Sequence, residues 1–269
     1  MPLQNALFWP ENFQDTTAHL VNTRRNHNWL DGDDIDFEMQ FTKRDDRMML
    51  TRLNQQGLEH FVRKYGSTYK ILRLESCSQI KDFSPLSDLP ALEAVCIDWC
   101  KIEALWDMTR NENLKVLSIS NGKKLTWEPK LIETGKTLEE VRFWGPLSGG
   151  TYPMASLDCF RGMTNLRRID LNWIKLEDKS MDFLKTLPNL EEFHFDAGML
   201  TTEEIAHIVA RYPGLYGQSL RAYDDEYMDI GEVRICGSRK PTLQLPKQKQ
   251  RFEEYVRQFD ALVEQYRST

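Results

Sequence analysis

Arg142, Asp170 and His194 are spaced by 28 and 24 residues, and each stands at the fifth place of a short phrase that the chain repeats. A guanidinium, a carboxylate and an imidazole in one column are the materials of acid/base chemistry. They are equally the materials of an ion-pair ladder on a solvated face, and that is the reading the residue types favour. Around the column lie Trp144, Asn172 and Asp196 at the seventh place of the same copies, with Trp173 one residue on. Tryptophan and arginine concentrate binding energy at interfaces, because each covers much area with few rotors and also donates hydrogen bonds. The candidate site is therefore a partner-binding patch of Arg142, Trp144, Asp170, Asn172, Trp173, His194 and Asp196. Trp99 and Trp173 fall just past their strands, where either an outward or an inward indole fits the pattern.

Other groups able to carry catalysis do not assemble. The histidines, at positions 19, 27, 60, 194 and 207, have no HxxxH or HxH spacing. Cys96 points to the concave face while Cys100 occupies the turn position, so the two should not share a zinc ion. Cys96 and His194 would lie four strand spacings apart, about 19 Å, too far for a dyad. GxSxG, Walker A and GxGxxG patterns are missing. Asp31-Gly-Asp-Asp-Ile-Asp36 starts like a calcium loop but lacks the later glycine and glutamate. The acidic cluster Tyr223–Asp229 and the sparse basic run from Arg239 to Arg251 read as solvated loops. An enzyme hidden in this chain would have to use His19, His27, Asp33 or Asp36 in the non-repeat ends. No catalytic residue, metal or cofactor is expected.

The elements that position the candidate residues come from the repeated phrase. It places apolar residues at its first, fourth and sixth places: Tyr69/Leu72/Leu74, Leu92/Val95/Ile97, Leu114/Leu117/Ile119, Leu138/Val141/Phe143, Leu166/Ile169/Leu171 and Leu190/Phe193/Phe195. The first residues are separated by 23, 22, 24, 28 and 24 positions. The fourth and sixth places alternate with polar ones, the period of a strand with one buried face. Copies laid side by side then form a parallel sheet, with the third, fifth and seventh places on the opposite face. That face is aliphatic in the early copies (Ile71, Ala94, Val116) and charged or aromatic in the fourth to sixth. Cys77 and Cys100 stand at the ninth place, where a small side chain fits beneath the turn; Gly122, Ile174 and Gly198 break that series later.

Phe83–Pro90 and Met181–Pro188 read as short helical turns on the return path, each ended by proline. The longer fourth copy holds Gly145–Pro153, dense enough in glycine and proline to require a loop, expected at the rim. A weaker seventh copy begins at Leu215. The open ends of such an array need covering. Ile35–Phe41, a strict alternation, and a helix over Leu53–Tyr65 stopped by Gly66 fit the first end. A strand near Val233–Ile235 and a helix over Lys247–Arg267 fit the second. The helix carries Phe252, Tyr255, Val256, Phe259, Leu262, Val263 and Tyr266 at three-and-four spacing.

A net charge of −6 gives no general reason to bind nucleic acid. No run approaches a membrane span, residues 1–13 do not have the pattern of a secretory signal, and five cysteines do not suggest a disulfide framework. A cytoplasmic setting is expected. The spacing of the phrase, with Cys77 and Cys100 at the turn, resembles an irregular leucine-rich repeat protein of the bacterial cytoplasmic sort. That resemblance implies an α/β solenoid: a horseshoe of six to seven repeats with a parallel concave sheet and capping elements at both ends. The parts would be an N-terminal cap over 1–67, the array over 68–220 and a C-terminal cap over 221–269. It implies a non-catalytic module that binds a partner protein on the concave face; a monomer is expected, and the acidic balance with an unaccompanied array gives an immunity-type inhibitor of a toxin or enzyme as the alternative.

Overall fold

The computed structural model describes residues 18–21, 39–40, 47–67, 69–122, 131, 133–146, 149–226 and 228–268. Its frame is a sheet of nine strands. In chain order these are β1 (Ala18–Val21), β2 (Met39–Gln40), β3 (Arg47–Thr51), β4 (Ile71–Glu75), β5 (Ala94–Asp98), β6 (Val116–Ser120), β7 (Glu140–Trp144), and then, after a short β8 (Tyr152–Met154), β9 (Arg168–Asn172). A second short strand, β10 (Ile174–Leu176), precedes the last strand of the large sheet, β11 (Glu192–Phe195). From β3 to β11 every neighbour in the large sheet is parallel and in the register the repeated phrase dictates, for instance Leu74↔Ile97, Ile97↔Ile119 and Ile119↔Phe143. The sheet also extends beyond the repeats, because β3 pairs with β4, β1 pairs parallel with β3, and β2 pairs antiparallel with β1.

The apolar first, fourth and sixth places form one continuous core, in which only Leu190 is left partly exposed. In the later copies the core is a chain of rings: Phe143 on Phe160, Phe160 on Phe183, Phe183 on Phe193, at 6.4, 6.1 and 5.9 Å between centroids. Three of the return segments contain short 3-10 helices, at Ser84–Asp88, Asp158–Phe160 and Asp182–Thr186. The turn position behaves as its residue type demands in the first two copies. The buried Cys77 thiol accepts from the Leu53 N–H at 3.3 Å, and the Cys100 thiol donates to the carbonyls of Leu74 and Asp98 at 3.6 and 3.3 Å.

Two small devices repeat without belonging to the apolar phrase. Asn113, Asn165 and Asn189 each precede the first leucine of a copy, and each side-chain amide donates to a carbonyl of the previous copy (Pro90, Lys136 and Thr164, at 3.0, 2.9 and 2.8 Å). At the second place, Lys70–Glu93, Lys115–Glu139 and Arg167–Glu191 are ion pairs at 2.8, 2.7 and 2.8 Å, linking strands across the sheet.

Several expectations are corrected. The described residues of the segment Gly145–Pro153 are loop as far as Thr151, with Gly149, Gly150 and Thr151 exposed, but its end is strand: Tyr152–Met154 is β8, which pairs in parallel with β10 as a separate two-stranded sheet, and Tyr152 and Met154 are buried. The extra residues of the fourth copy thus supply apolar side chains to the core. The seventh copy shrinks to one bridge, Glu192↔Tyr216. Of the expected strand Ile35–Phe41 only Met39–Gln40 falls among the described residues. The helix expected over Leu53–Tyr65 is α1 (Gln55–Tyr65), capped by Asn54, whose side chain accepts from the Gly57 N–H at 2.8 Å. Gly66 ends it in right-handed geometry, so its small size is explained by crowding: a Cβ there would lie 2.3 Å from the Leu89 side chain.

At the other end, α2 (Thr202–Arg211) starts with a capping box between Thr201 and Glu204. It packs against α3 (Lys249–Arg267), which buries Phe259 and Val263 and sets Tyr266 edge-on to His207 at 5.2 Å. A small antiparallel sheet of β12 (Tyr223–Asp224), β13 (Glu232–Ile235) and β14 (Thr242–Gln244) lies between them in sequence. Its first strand takes in Tyr223 and Asp224 of the acidic cluster, and Asp224 accepts from Gln218 at 2.8 Å.

Candidate protein-binding site

The candidate residues lie where the strand alternation puts them, on the sheet face opposite the core, and the register brings them together. Arg142 is the partner of Asp170 across β7 and β9, Asp170 that of His194 across β9 and β11, and Trp144 that of Asn172. The column is not a solvated ladder of ion pairs, however. Arg142 and Asp170 are 7% and 5% exposed. The Arg142 guanidinium lies over the Trp144 ring, 3.3 Å from its centroid, a cation–π contact. Asp170 Oδ1 accepts from Trp144 Nε1 at 2.9 Å and from Asn172 Nδ2 at 3.0 Å. His194 pairs with Glu192, Nε2 to Oε2 at 2.9 Å, and stands edge-on to Tyr216 at 5.6 Å. The buried charges therefore hold the aromatic side chains in place rather than facing water.

Trp144, Asn172, Trp173, His194 and Asp196 are half-buried. Trp173 meets Trp144 edge to face at 5.8 Å, and its backbone N–H donates to the Asp196 carboxylate. Burial raises the pKa of Asp196 above the ordinary carboxylate value, opposed by that N–H. The question left open for the two tryptophans is answered by backbone geometry. Ser76, Trp99, Asn121 and Trp173, the eighth places of four copies, all adopt left-handed φ of 56°, 53°, 59° and 54°. This turns their side chains away from the core, and Trp99 is 47% exposed. Gly145 holds the eighth place of the fourth copy; its N–H donates to Asn172 O at 2.8 Å, and a Cβ on it would lie 2.3 Å from Trp173 O.

The face is less uniform than the residue types suggest. Ile71, Ala94, Cys96 and Val116, expected as a displayed aliphatic stretch, are buried as a second small apolar cluster. Ile71, Ala94 and Val116 are lateral neighbours in register, with Cys96 two residues along β5 from Ala94, so they cover one another. Next to them Asp98 accepts from Ser120, Asn121 and Arg73 at 2.6, 3.0 and 3.3 Å. A cavity of about 90 Å³ opens there, bounded by Asp98, Asn121, Trp144 and Trp173. It holds roughly three waters, well short of a small-molecule pocket. Two further groups escaped the sequence reading. Tyr216, 46% exposed, lies past β11 in register with Glu192, the first residue of that strand, and so extends the face beside His194 and not the row at the strand ends. Glu192, buried, takes Arg168 at 3.1 Å beside Glu140, whose carboxyl burial pushes up to about 6, with Arg168 opposing and Glu192 adding. The third and fifth places of adjacent copies, read together, would have pointed to that cluster.

Cys96 and Cys100 occupy opposite sides of the sheet, Cys96 in the outer cluster and Cys100 in the core. Burial pushes the thiols of Cys96 and Cys236 up to about 11 and 12, so they stay protonated and poorly nucleophilic near neutral pH. Among the described residues no three of His, Cys, Asp and Glu could hold a metal ion, and no helix is long and apolar enough to cross a membrane. His27, Asp33, Asp36 and the Asp31–Asp36 turn lie outside the described residues.

Fold and site together define an α/β protein of repeated strand–turn units on a parallel sheet, with an aromatic row along the edge where the strands end. No family model matches the chain, and no curated protein matches its sequence. Among solved structures, the chain is similar to one described as the crystal structure of a TLR13–ssRNA13 complex, at 14% identity and a TM-score of 0.42. The similarity covers 55% of this chain and 24% of that one, so this chain spans about a quarter of that protein's length.

Proposed function

We propose that this chain is a leucine-rich-repeat-type solenoid with caps at both ends, and that its work is non-catalytic recognition of another protein. The partner docks on the sheet face opposite the core, over Trp99, Trp144 and Trp173 at the strand ends and across to Tyr216 beside His194. One observation carries this reading. Trp99 combines a left-handed backbone with an indole 47% exposed, although a bulky side chain in that conformation is strained and gains nothing from burial. Stability alone would favour asparagine or glycine there, and asparagine does occupy the same place one copy later, at Asn121. Trp144 and Trp173 support the row from beneath, held by Asp170, Asn172 and Asp196. Arg142 and Asp170 then act by positioning the indoles, and Trp99 and Tyr216 join the contact surface.

The test uses Trp99→Asn and Tyr216→Ser, which alter exposed side chains and leave the buried network intact. The wild type is used to capture its partner, and the dissociation constant of that partner is then compared across the variants. A hot-spot tryptophan is worth about 2 kcal/mol, or roughly a thirtyfold weaker complex when lost. Trp99→Asn should remain folded and melt no lower than the wild type. Unchanged affinity in both variants would remove the row from the interface and with it this reading.

A further inference from the structure

The geometry points to a second binding site, for a small organic anion, on the return side of the last repeats, away from the aromatic row. A cavity of about 250 Å³ lies between the 3-10 helix Asp182–Thr186 and α2. Its lining is apolar at the base, from Met181, Ile208 and Tyr212, of which Ile208 is buried. Lys179, Lys185, Arg211 and the His207 ring line the rest. Two carboxylates also reach it, and both are engaged. Asp182 is ion-paired with Lys185, and its pKa is lowered chiefly by that lysine, with Arg161 and Arg211 adding. Glu204 accepts from the Thr201 N–H at 2.7 Å as part of the capping box that starts α2.

Among the described residues, neither Lys179 nor Arg211 forms an ion pair. The cavity thus carries three cations, of which Lys185 is already paired, against two engaged carboxylates, in a chain whose net charge is −6. A ligand oxyanion would find the Arg211 guanidinium, suited to two parallel hydrogen bonds, and the Lys179 ammonium in the lining of the same cavity. The volume falls just below that of drug-sized pockets, which limits the occupant to a compact molecule. The apolar base, with Tyr212 beside it, calls for one ring or short aliphatic body attached to the anion. The occupant is accordingly a small phosphate monoester or carboxylate with one apolar group.

Phenyl phosphate is the probe, titrated calorimetrically into the full chain beside inorganic phosphate and phenol. Saturable binding of phenyl phosphate, at least tenfold tighter than either fragment, is expected. Lys179→Gln and Arg211→Gln should each weaken it roughly tenfold, with unchanged melting temperatures. A further variant, Ile208→Val, should weaken it less than either while leaving the charges in place. No saturation up to about 10 mM, affinity unchanged in the Lys179→Gln/Arg211→Gln double variant, or equal binding of inorganic phosphate would overturn the assignment.

Discussion

Asn111 ties the second copy to the first, and its removal is a direct measure of how the array resists splitting. The residue is fully buried. Its Oδ1 accepts from Trp106 Nε1 at 2.9 Å, and its Nδ2 donates to the carbonyls of Leu86 and Leu89 at 2.9 and 3.0 Å. In Asn111→Ala the two carbonyls keep one bond each, from the backbone N–H groups of Leu89 and Leu92. They therefore lose only a second partner, about 1 kcal/mol apiece. The indole N–H is left buried with no acceptor, which costs about 1–3 kcal/mol. The sum, about 3–5 kcal/mol, is a large part of the total stability of an ordinary domain. Urea unfolding followed by far-ultraviolet circular dichroism would register it as a lower midpoint. Asn111→Asp keeps the acceptor for Trp106 but sets a carboxylate against two carbonyls, and should be no better than alanine. Trp106→Phe removes one bond from the set, so a double-mutant cycle with Asn111→Ala should return a coupling of about 1 kcal/mol or more. A loss below about 1 kcal/mol in Asn111→Ala, or a coupling of zero, would refute the argument that this amide clamps the copies together.

Glu140 gives a pH dependence of unusual sign. Its folded pKa, about 6, is above the unfolded value of 4.5, so between these values the folded state holds more of the proton. The stability it contributes is full below pH 4.5 and is lost as pH rises through 6; Glu140→Gln should raise the unfolding free energy by about 1–2 kcal/mol at pH 7.5 and by almost nothing at pH 4. Gly145→Ala would force a methyl to 2.3 Å from Trp173 O, a backbone atom that β9 and β10 hold in place. A loss of about 2–3 kcal/mol or more in the same urea assay is expected, and a neutral result would show that the strand ends can move apart. All five cysteines are free and buried. A thiol reagent at pH 7.5 should therefore modify them only in denaturant, and rapid native labelling of Cys96 would contradict its packing.

The repeats were legible because their signal is local and redundant. An apolar residue at the first, fourth and sixth places of six copies specifies which side of each strand is buried, and equal spacing sets the copies in register. Hence the parallel pairing, the cysteines under the first two turns and the common face of Arg142, Asp170 and His194 could all be read from residue order. The charge alternation of Lys70, Glu93, Lys115 and Glu139 at the second place was equally present in the residues, but it emerges only once neighbouring copies are compared place by place.

What the tertiary structure decided depends on groups that strand period does not relate. Residue types marked Arg142 and Asp170 as surface charges, yet lateral neighbours cover them and Trp144 is stacked on one and bonded to the other. Trp99 sits in a left-handed turn that alternation cannot encode, since the period of two ends with the strand, and the same turn leaves Asn121 buried, so the exposure of Trp99 depends on what the neighbouring copies cover. The extra residues of the fourth copy looked like a loop by their glycine and proline content. The described ones are loop as far as Thr151, but Tyr152–Met154 became β8 because β10, more than twenty residues further on, offered a partner. Sequence determined which face each strand side chain takes, because that is a property of one strand. Only the assembled sheet determined which of those faces meet solvent, because covering a side chain requires atoms from elsewhere in the chain.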